Sequence, residues 1–156
     1  MNDLIVERKG LRLSAAALSF SGQDFAERVV MQIAPSPLND GHEAGDAVLQ
    51  AAAGRMLATM RADDTVARLA GDEFVVIAQA VANQASARDI ARKLCDVLSA
   101  PISVENAEVA VGASIGVYLN LSGHEPQSAE QALALADKAM YEAKRSGRNR
   151  FSLVAD

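Results

Sequence analysis

The sequence predicts an α+β fold, with helices packed on a mixed central sheet of about five strands. Three observations lead there. Two short β-rich runs in TVARLAGDEFVVIA flank Ala70-Gly71-Asp72-Glu73, which reads as a hairpin turn and makes the sheet partly antiparallel. Amphipathic helical stretches separate the other β-rich runs, giving a βαββαβ core within the chain. The chain has 156 residues, 50% of them apolar and 22% charged, which fits one globular domain. No internal repeat, low-complexity block or linker divides residues 1–156.

Taken in order, LRLSAAALSF alternates loosely and reads as a strand, although its alanines keep a helix open. The apolar run RVVMQIA reads as a second strand, stopped by the loop PSPLNDG with its prolines, Asn, Asp and Gly. From His42 to about Met60 the spacing of Val48, Leu49, Ala52 and Met56 is helical. After the hairpin, Ser86 to Ser99 is an amphipathic helix closed by Pro101. Glu108 to Leu121 is β-rich, with Gly112 and Gly116 inside it. Ser128 to Ser146 is a helix ended by Gly147, and Arg150 to Val154 reads as a last strand.

Composition narrows the function. A net charge of −5 argues against non-specific binding to nucleic acid or to an anionic membrane. Aromatics make up 4% of the chain and Trp is absent, too few for a base-stacking platform. The single cysteine, Cys95, shares a helical stripe with Ile90, Leu94 and Leu98 and reads as a small core residue in a reducing, cytoplasmic setting. The longest apolar stretch, around Leu13 to Phe20, is too short to span a bilayer, and MNDLIVERKG lacks the pattern of a signal peptide. His42 and His124 have no second His or Cys at a ligand spacing, so neither reads as a metal ligand. Met140 and Tyr141 read as packing residues of the last helix.

Taken alone, Gly-Asp in a turn has a backbone explanation. Its company adds meaning. LNDGHEAGDAVL, RADDTVARLAGDEFVVI, GASIGVYL and ADKAMYEAKRSGRNRFSL follow one another across about Leu38 to Leu153. Together they resemble the four signatures of the GGDEF domain family of bacterial diguanylate cyclases. Ala70 stands at the first glycine position, and the segment after Asp40 is two residues short. On this resemblance residues 38–153 are family-like and 1–37 divergent.

The resemblance implies a palm-like nucleotide-cyclase fold and a role in cyclic di-GMP signalling. It implies that Asp72 and Glu73 are catalytic carboxylates that hold Mg²⁺, a hard ion suited to oxygen ligands and triphosphates. It makes Asn39 and Asp46 readers of the guanine edge, and Lys144 and Arg148 holders of the triphosphate. The bland alternatives are a first-turn helix acid for Asp46 and a basic patch near a helix C-terminus for Lys144 and Arg148. It also matches Arg61-x-x-Asp64, five residues before AGDEF, to an inhibitory site for the product. There the guanidinium would fork onto guanine or phosphate and the carboxylate would accept from the guanine N–H edge. A further arginine would come from the next helix, with Arg92 the first candidate and Arg88 the alternative, one turn apart on one face.

One family element is missing. Active cyclases carry an Asp at the end of the first sheet strand, in a D-x-D-x-F-K run. Without gaps, MQIAPSP falls over that run and sets Met31 and Ile33 at the acids. With a gap, LSFSG does, and Ser19 and Ser21 replace them. Asp24 fits neither register. Two functions therefore stand side by side. One is a degenerate domain binding cyclic di-GMP as receptor or protein-interaction module. The other is a working cyclase, converting two GTP to cyclic di-GMP and two pyrophosphates in a homodimer with one GTP per subunit. No coiled-coil heptad supports dimerisation.

Overall fold

The computed structural model describes residues 5–8, 11–13, 29–37, 45–70, 72–121 and 129–155. Its elements are β1 (Ile5–Arg8), β2 (Leu11–Leu13), β3 (Val29–Pro37), α1 (Gly45–Thr59), β4 (Thr65–Ala70), β5 (Glu73–Ala78), α2 (Gln84–Ser99), β6 (Ile102–Val104), β7 (Ala107–Val109), β8 (Val111–Leu119), α3 (Ala129–Arg145) and β9 (Arg150–Ala155). One sheet runs β2-β1-β4-β5-β3-β8-β9. The expected five strands, β4-β5-β3-β8-β9, form its body, and the β1–β2 hairpin extends the β4 side. Only β8–β9 is parallel, because α3 crosses over between them.

Alternation along each strand sorts the core into two layers. Met31, Ile33, Phe74, Val76, Ala113, Ile115, Val117 and Leu119 face Ala52 and Met56 of α1 and Ala87, Ala91, Leu94 and Leu98 of α2. On the other face Val75, Ile77 and Tyr118 meet Ala132 and Ala136 of α3. β8 is covered from both sides and is buried along its whole length. Burying a Leu such as Leu94 contributes about 1.5–3 kcal/mol, so these stripes carry much of the fold.

The helices have local reasons to begin and end. Asn83 caps α2 by accepting from the Ser86 amide at 2.8 Å, and Pro101 follows its end. Arg55 of α1 reaches the other terminus of α2, donating to the carbonyls of Val97 at 3.1 Å, Pro101 at 2.6 Å and Ala100. A guanidinium there satisfies helix-end carbonyls and opposes their partial negative charge. α3 carries Glu130 in its first turn and Lys144 and Arg145 in its last, then turns out at Gly147, φ 118°.

Two details differ from the sequence reading. β3 does not stop at the prolines; it continues through Pro35 and Pro37, paired with Ala113 and Val111 of β8. It pairs with β5 only as far as Ile33, so its last residues have one ladder, and prolines at alternate positions are tolerated there. A second hairpin, β6–β7, precedes β8; its turn at Glu105, φ 53°, gave no glycine signal. The remainder of LRLSAAALSF beyond Leu13 lies outside the described residues. Among those described, no helix is long and apolar enough to cross a membrane.

Two glycines give opposite expectations. A Cβ on Gly116 would run into the backbone of Ala136 and Met140 in α3, whereas one on Gly54 of α1 would meet open space. Gly116→Ala should lower stability by several kcal/mol or prevent folding, as overpacking at rigid backbone does. Gly54→Ala should raise it by about 0.4–1 kcal/mol. Urea denaturation of both variants checks the pair.

Candidate functional site

The path of the chain gathers the expected residues at two opposite ends of the sheet. At one end lie the β4–β5 turn, the end of β3, the start of α1, the end of α3 and the start of β9. Asp72, Glu73, Asp46, Lys144 and Arg148 all belong to these segments. At the other end lie the α1–β4 and β5–α2 connections, with Arg61, Asp64 and the beginning of α2.

At the hairpin end, Asp72 is exposed in the turn and Glu73 is half-buried at the start of β5, opposite Ala70. The turn is tight, with a register shift between Arg68 and Ala70. Glu73 shares parity with Val75 and Ile77, so it belongs to the face that α3 covers, and Lys144 sits half-buried in the last turn of that helix. Arg148 is exposed in the α3–β9 connection. Asp46 falls in the first turn of α1. Asn39, His42, His124, Ser19, Ser21 and Asp24 lie outside the described residues.

The sheet register revises which residues stand at the missing acid. Ile33 pairs with Phe74, so the β3 residues beside Glu73 and Asp72 are Ala34 and Pro35, both buried. Met31 and Ile33 are set deeper, fully buried in the α1–α2 core. No carboxylate approaches the turn from β3. Among the described residues no three His, Cys, Asp or Glu side chains come together. Asp72 and Glu73 are thus a two-carboxylate set from one strand. Among the described residues this set does not make a Mg²⁺ site with carboxylates of two strands, and a hard ion holding a triphosphate needs several oxygen ligands.

At the opposite end Asp64 is 7% exposed. Its Oδ2 accepts from the Arg61 amide at 2.8 Å and its Oδ1 from the Gln79 amide at 3.0 Å. The Asp64 amide donates back to the Arg61 carbonyl at 3.1 Å, and Gln79 Nε2 donates to the Asp63 carbonyl at 3.1 Å. Asp64 therefore closes its own turn and fastens it to the β5–α2 connection. Arg61 is held by its backbone while its side chain is exposed. Arg88 and Arg92 lie on the exposed side of α2, opposite Ala87, Ala91 and Leu94, and Arg92 pairs with Asp89 at 3.0 Å.

Sequence reasoning did not single out Gln79, Arg55 or Asn149. Gln79 is bonded through its backbone amide, which no side-chain pattern announces. Arg55 lies within the helical stretch from His42 to Met60, whose apolar spacing says nothing of where a guanidinium between those positions reaches. Tyr141 departs from its expected packing role: it is 59% exposed, with the Arg145 guanidinium 5.9 Å from its ring centroid, whereas Met140 is buried. Cys95 is half-buried as expected, and desolvation, with the neighbouring Asp96 charge, pushes its thiol up to about 11.

The family model "Diguanylate cyclase, GGDEF domain" matches residues 38–150. The chain is 42% identical over 109 residues to MucR of Pseudomonas aeruginosa, a bifunctional diguanylate cyclase and cyclic di-GMP phosphodiesterase. That match covers 70% of this chain and 16% of MucR, so the chain spans a small part of such relatives. The crystal structure of the GGDEF domain of YfiN, or TpbB, from the same organism superposes with a TM-score of 0.73 at 36% identity, covering 81% of each chain. The diguanylate cyclase SiaD, solved with its activator SiaC, gives 0.67 at 27% identity over 83% of this chain and 50% of that one.

Two expectations follow from this geometry. Asp64→Ala leaves two backbone amides without their carboxylate and should cost on the order of 3 kcal/mol, read by denaturant titration. At pH 8 the Cys95 thiolate fraction should be about a hundredfold below that of a thiol at the ordinary value of 9.0. Iodoacetamide should accordingly label the folded chain slowly, with labelling accelerating as pH rises toward 11.

Proposed function

The chain belongs to the diguanylate cyclase GGDEF domain family, and from that premise we propose that it is a guanine-nucleotide receptor rather than an efficient cyclase. Cyclic di-GMP binds at the end of the sheet that carries Arg61. Arg61 supplies the fork, Arg92 or Arg88 adds the second guanidinium from α2, and Asp64 holds the turn in shape. GTP binds at the hairpin end through Asn39, Asp46, Lys144 and Arg148 and turns over little or not at all.

A single observation carries the reading. The strand residues beside the carboxylate turn are Ala34 and Pro35, which offer no side-chain oxygen ligand. Attack of a ribose hydroxyl on the α-phosphate concentrates negative charge, and cyclases of this family meet it with metal. One carboxylate fewer leaves that charge under-compensated. The turn beside Arg61 is, by contrast, intact and locked by four hydrogen bonds.

The alternative, a working cyclase, is favoured by the complete C-terminal signature, whose Lys144 and Arg148 reach the hairpin end together with Glu73. In that case the chain condenses two GTP to cyclic di-GMP and two pyrophosphates with Mg²⁺, as a homodimer.

Incubation with GTP and Mg²⁺, followed by product analysis, separates the two. The receptor reading expects little or no cyclic di-GMP; robust formation, abolished by Glu73→Gln, would promote the cyclase. Calorimetric titration with cyclic di-GMP tests the binding half. Arg61→Ala should weaken binding by about tenfold to a few hundredfold, the worth of one or more charge-assisted bonds. Arg61→Lys should also weaken it, since an ammonium cannot reproduce the planar fork. Equal affinity of wild type and Arg61→Ala would remove Arg61 from the site.

A further inference from the structure

The α3–β9 connection holds a backbone that needs support. Gly147, Arg148 and Asn149 have φ of 118°, 61° and 47° in succession. Glycine takes such values freely and Asn is enriched there, but Arg is not. A left-handed Arg persists where its surroundings over-determine it, and such residues cluster at ligand sites. The Arg148 amide donates to the Ala143 carbonyl at 3.1 Å, and its own carbonyl accepts from Arg150 Nε at 3.1 Å.

The remaining constraint comes from the next residue. Asn149 lies flat against β8 at Gly112: a Cβ there would stand 3.0 Å from both Asn149 Cβ and Oδ1. Its Oδ1 is 2.9 Å from the Oγ of Ser99, the last residue of α2, and that hydroxyl is 2.6 Å from the Cys95 carbonyl. The hydroxyl has one proton: it donates either to Asn149 Oδ1 or to the Cys95 carbonyl, and in the second case the Asn149 amide must turn its Nδ2 to donate to Ser99 Oγ. Asn149, exposed on its outer side, thus touches two elements, α2 and β8, neither of which is its own.

We propose that Asn149 is a positioning residue: seated in the notch at Gly112 and tied to Ser99, it fixes the left-handed backbone that presents Arg148 to the phosphate tail of a guanine nucleotide. The proposal rests on the reading of the hairpin end as the GTP-binding end. Arg148 makes the contact, and Asn149 sets where the guanidinium starts from. Without that seat, Arg148 can relax toward a right-handed backbone and its side chain leaves from a different direction.

The test is calorimetric titration of GTP and of GMP into wild type, Arg148→Ala, Asn149→Ala and the double variant. Thermal melts of each report folding. Asn149→Ala should weaken GTP by about fivefold to thirtyfold, part of the worth of a charge-assisted contact, and leave GMP within about twofold. In the Arg148→Ala background the same change should have no further effect on GTP. Gly112→Ala crowds the notch from the other side and should give the same GTP-selective loss, so the proposal stays testable if Asn149→Ala fails to fold. Equal losses for GTP and GMP, or additive losses in the double variant, would make Asn149 a purely structural residue and overturn the proposal. Wild type binding GTP no better than GMP, with Arg148→Ala silent, would instead overturn the reading of the hairpin end, and the proposal with it.

Discussion

Helix α3 rests on β8 with almost no side chain between the two backbones. The space that a Cβ of Gly116 would fill is taken by the main chain of Ala136 and Met140. Alanines at 132, 136, 139 and 143 keep the helix face thin along that seam. The close approach fixes the height of α3 over the sheet, and through it the place where its last turn ends. Lys144, the left-handed Arg148 and the start of β9 all take their positions from that seam. The parallel β8–β9 pairing depends on it as well, since α3 is the crossover that returns the chain to the hairpin end.

The sheet separates two groups of charges by its own length. The hairpin end gathers carboxylates and basic residues from three stretches distant in sequence, the start of α1, the β4–β5 turn and the end of α3 with its connection to β9. The other end is built from two connections that Asp64 and Gln79 bind together. α2, like α1, runs between the two groups: Arg88 stands near its start, and Ser99, at its end, touches Asn149. Arg55 holds that end of α2 against α1. The start of α2 lies beside the Arg61 turn and its end against Asn149, so one helix spans the distance between the two ends.

Much of this was legible in the sequence because the relevant signals are local. The hairpin was announced by its turn residues, α2 by a clean apolar stripe and Pro101, α3 by its stripe and Gly147. The gathering of Asp72, Glu73, Lys144 and Arg148 at one end followed from the order of four motifs. What stayed hidden depends on register or on backbone groups. Which β3 residues flank the turn is decided by pairing with Phe74, and an ungapped count set Met31 and Ile33 there instead of Ala34 and Pro35. The fastening of the Asp64 turn runs largely through main-chain groups, so the sequence showed Asp64 only as a candidate ligand residue and gave no sign that it also accepts from the Arg61 and Gln79 amides. The β6–β7 hairpin escaped because a left-handed Glu105 turns it without glycine.

The prolines of β3 have a consequence for encounters between chains. Past Ile33 the strand loses β5 and is left with β8 alone, and a strand with one neighbour can recruit another through its unused amides. Pro35 and Pro37 share one parity and remain in register with β8, which requires their nitrogens to point away from it, toward the unpaired side. That side therefore offers acceptors without donors. Pro35, which stands beside the carboxylate turn, and Pro37 two residues on thus deny a foreign β-strand the ladder it would need to add itself to the sheet.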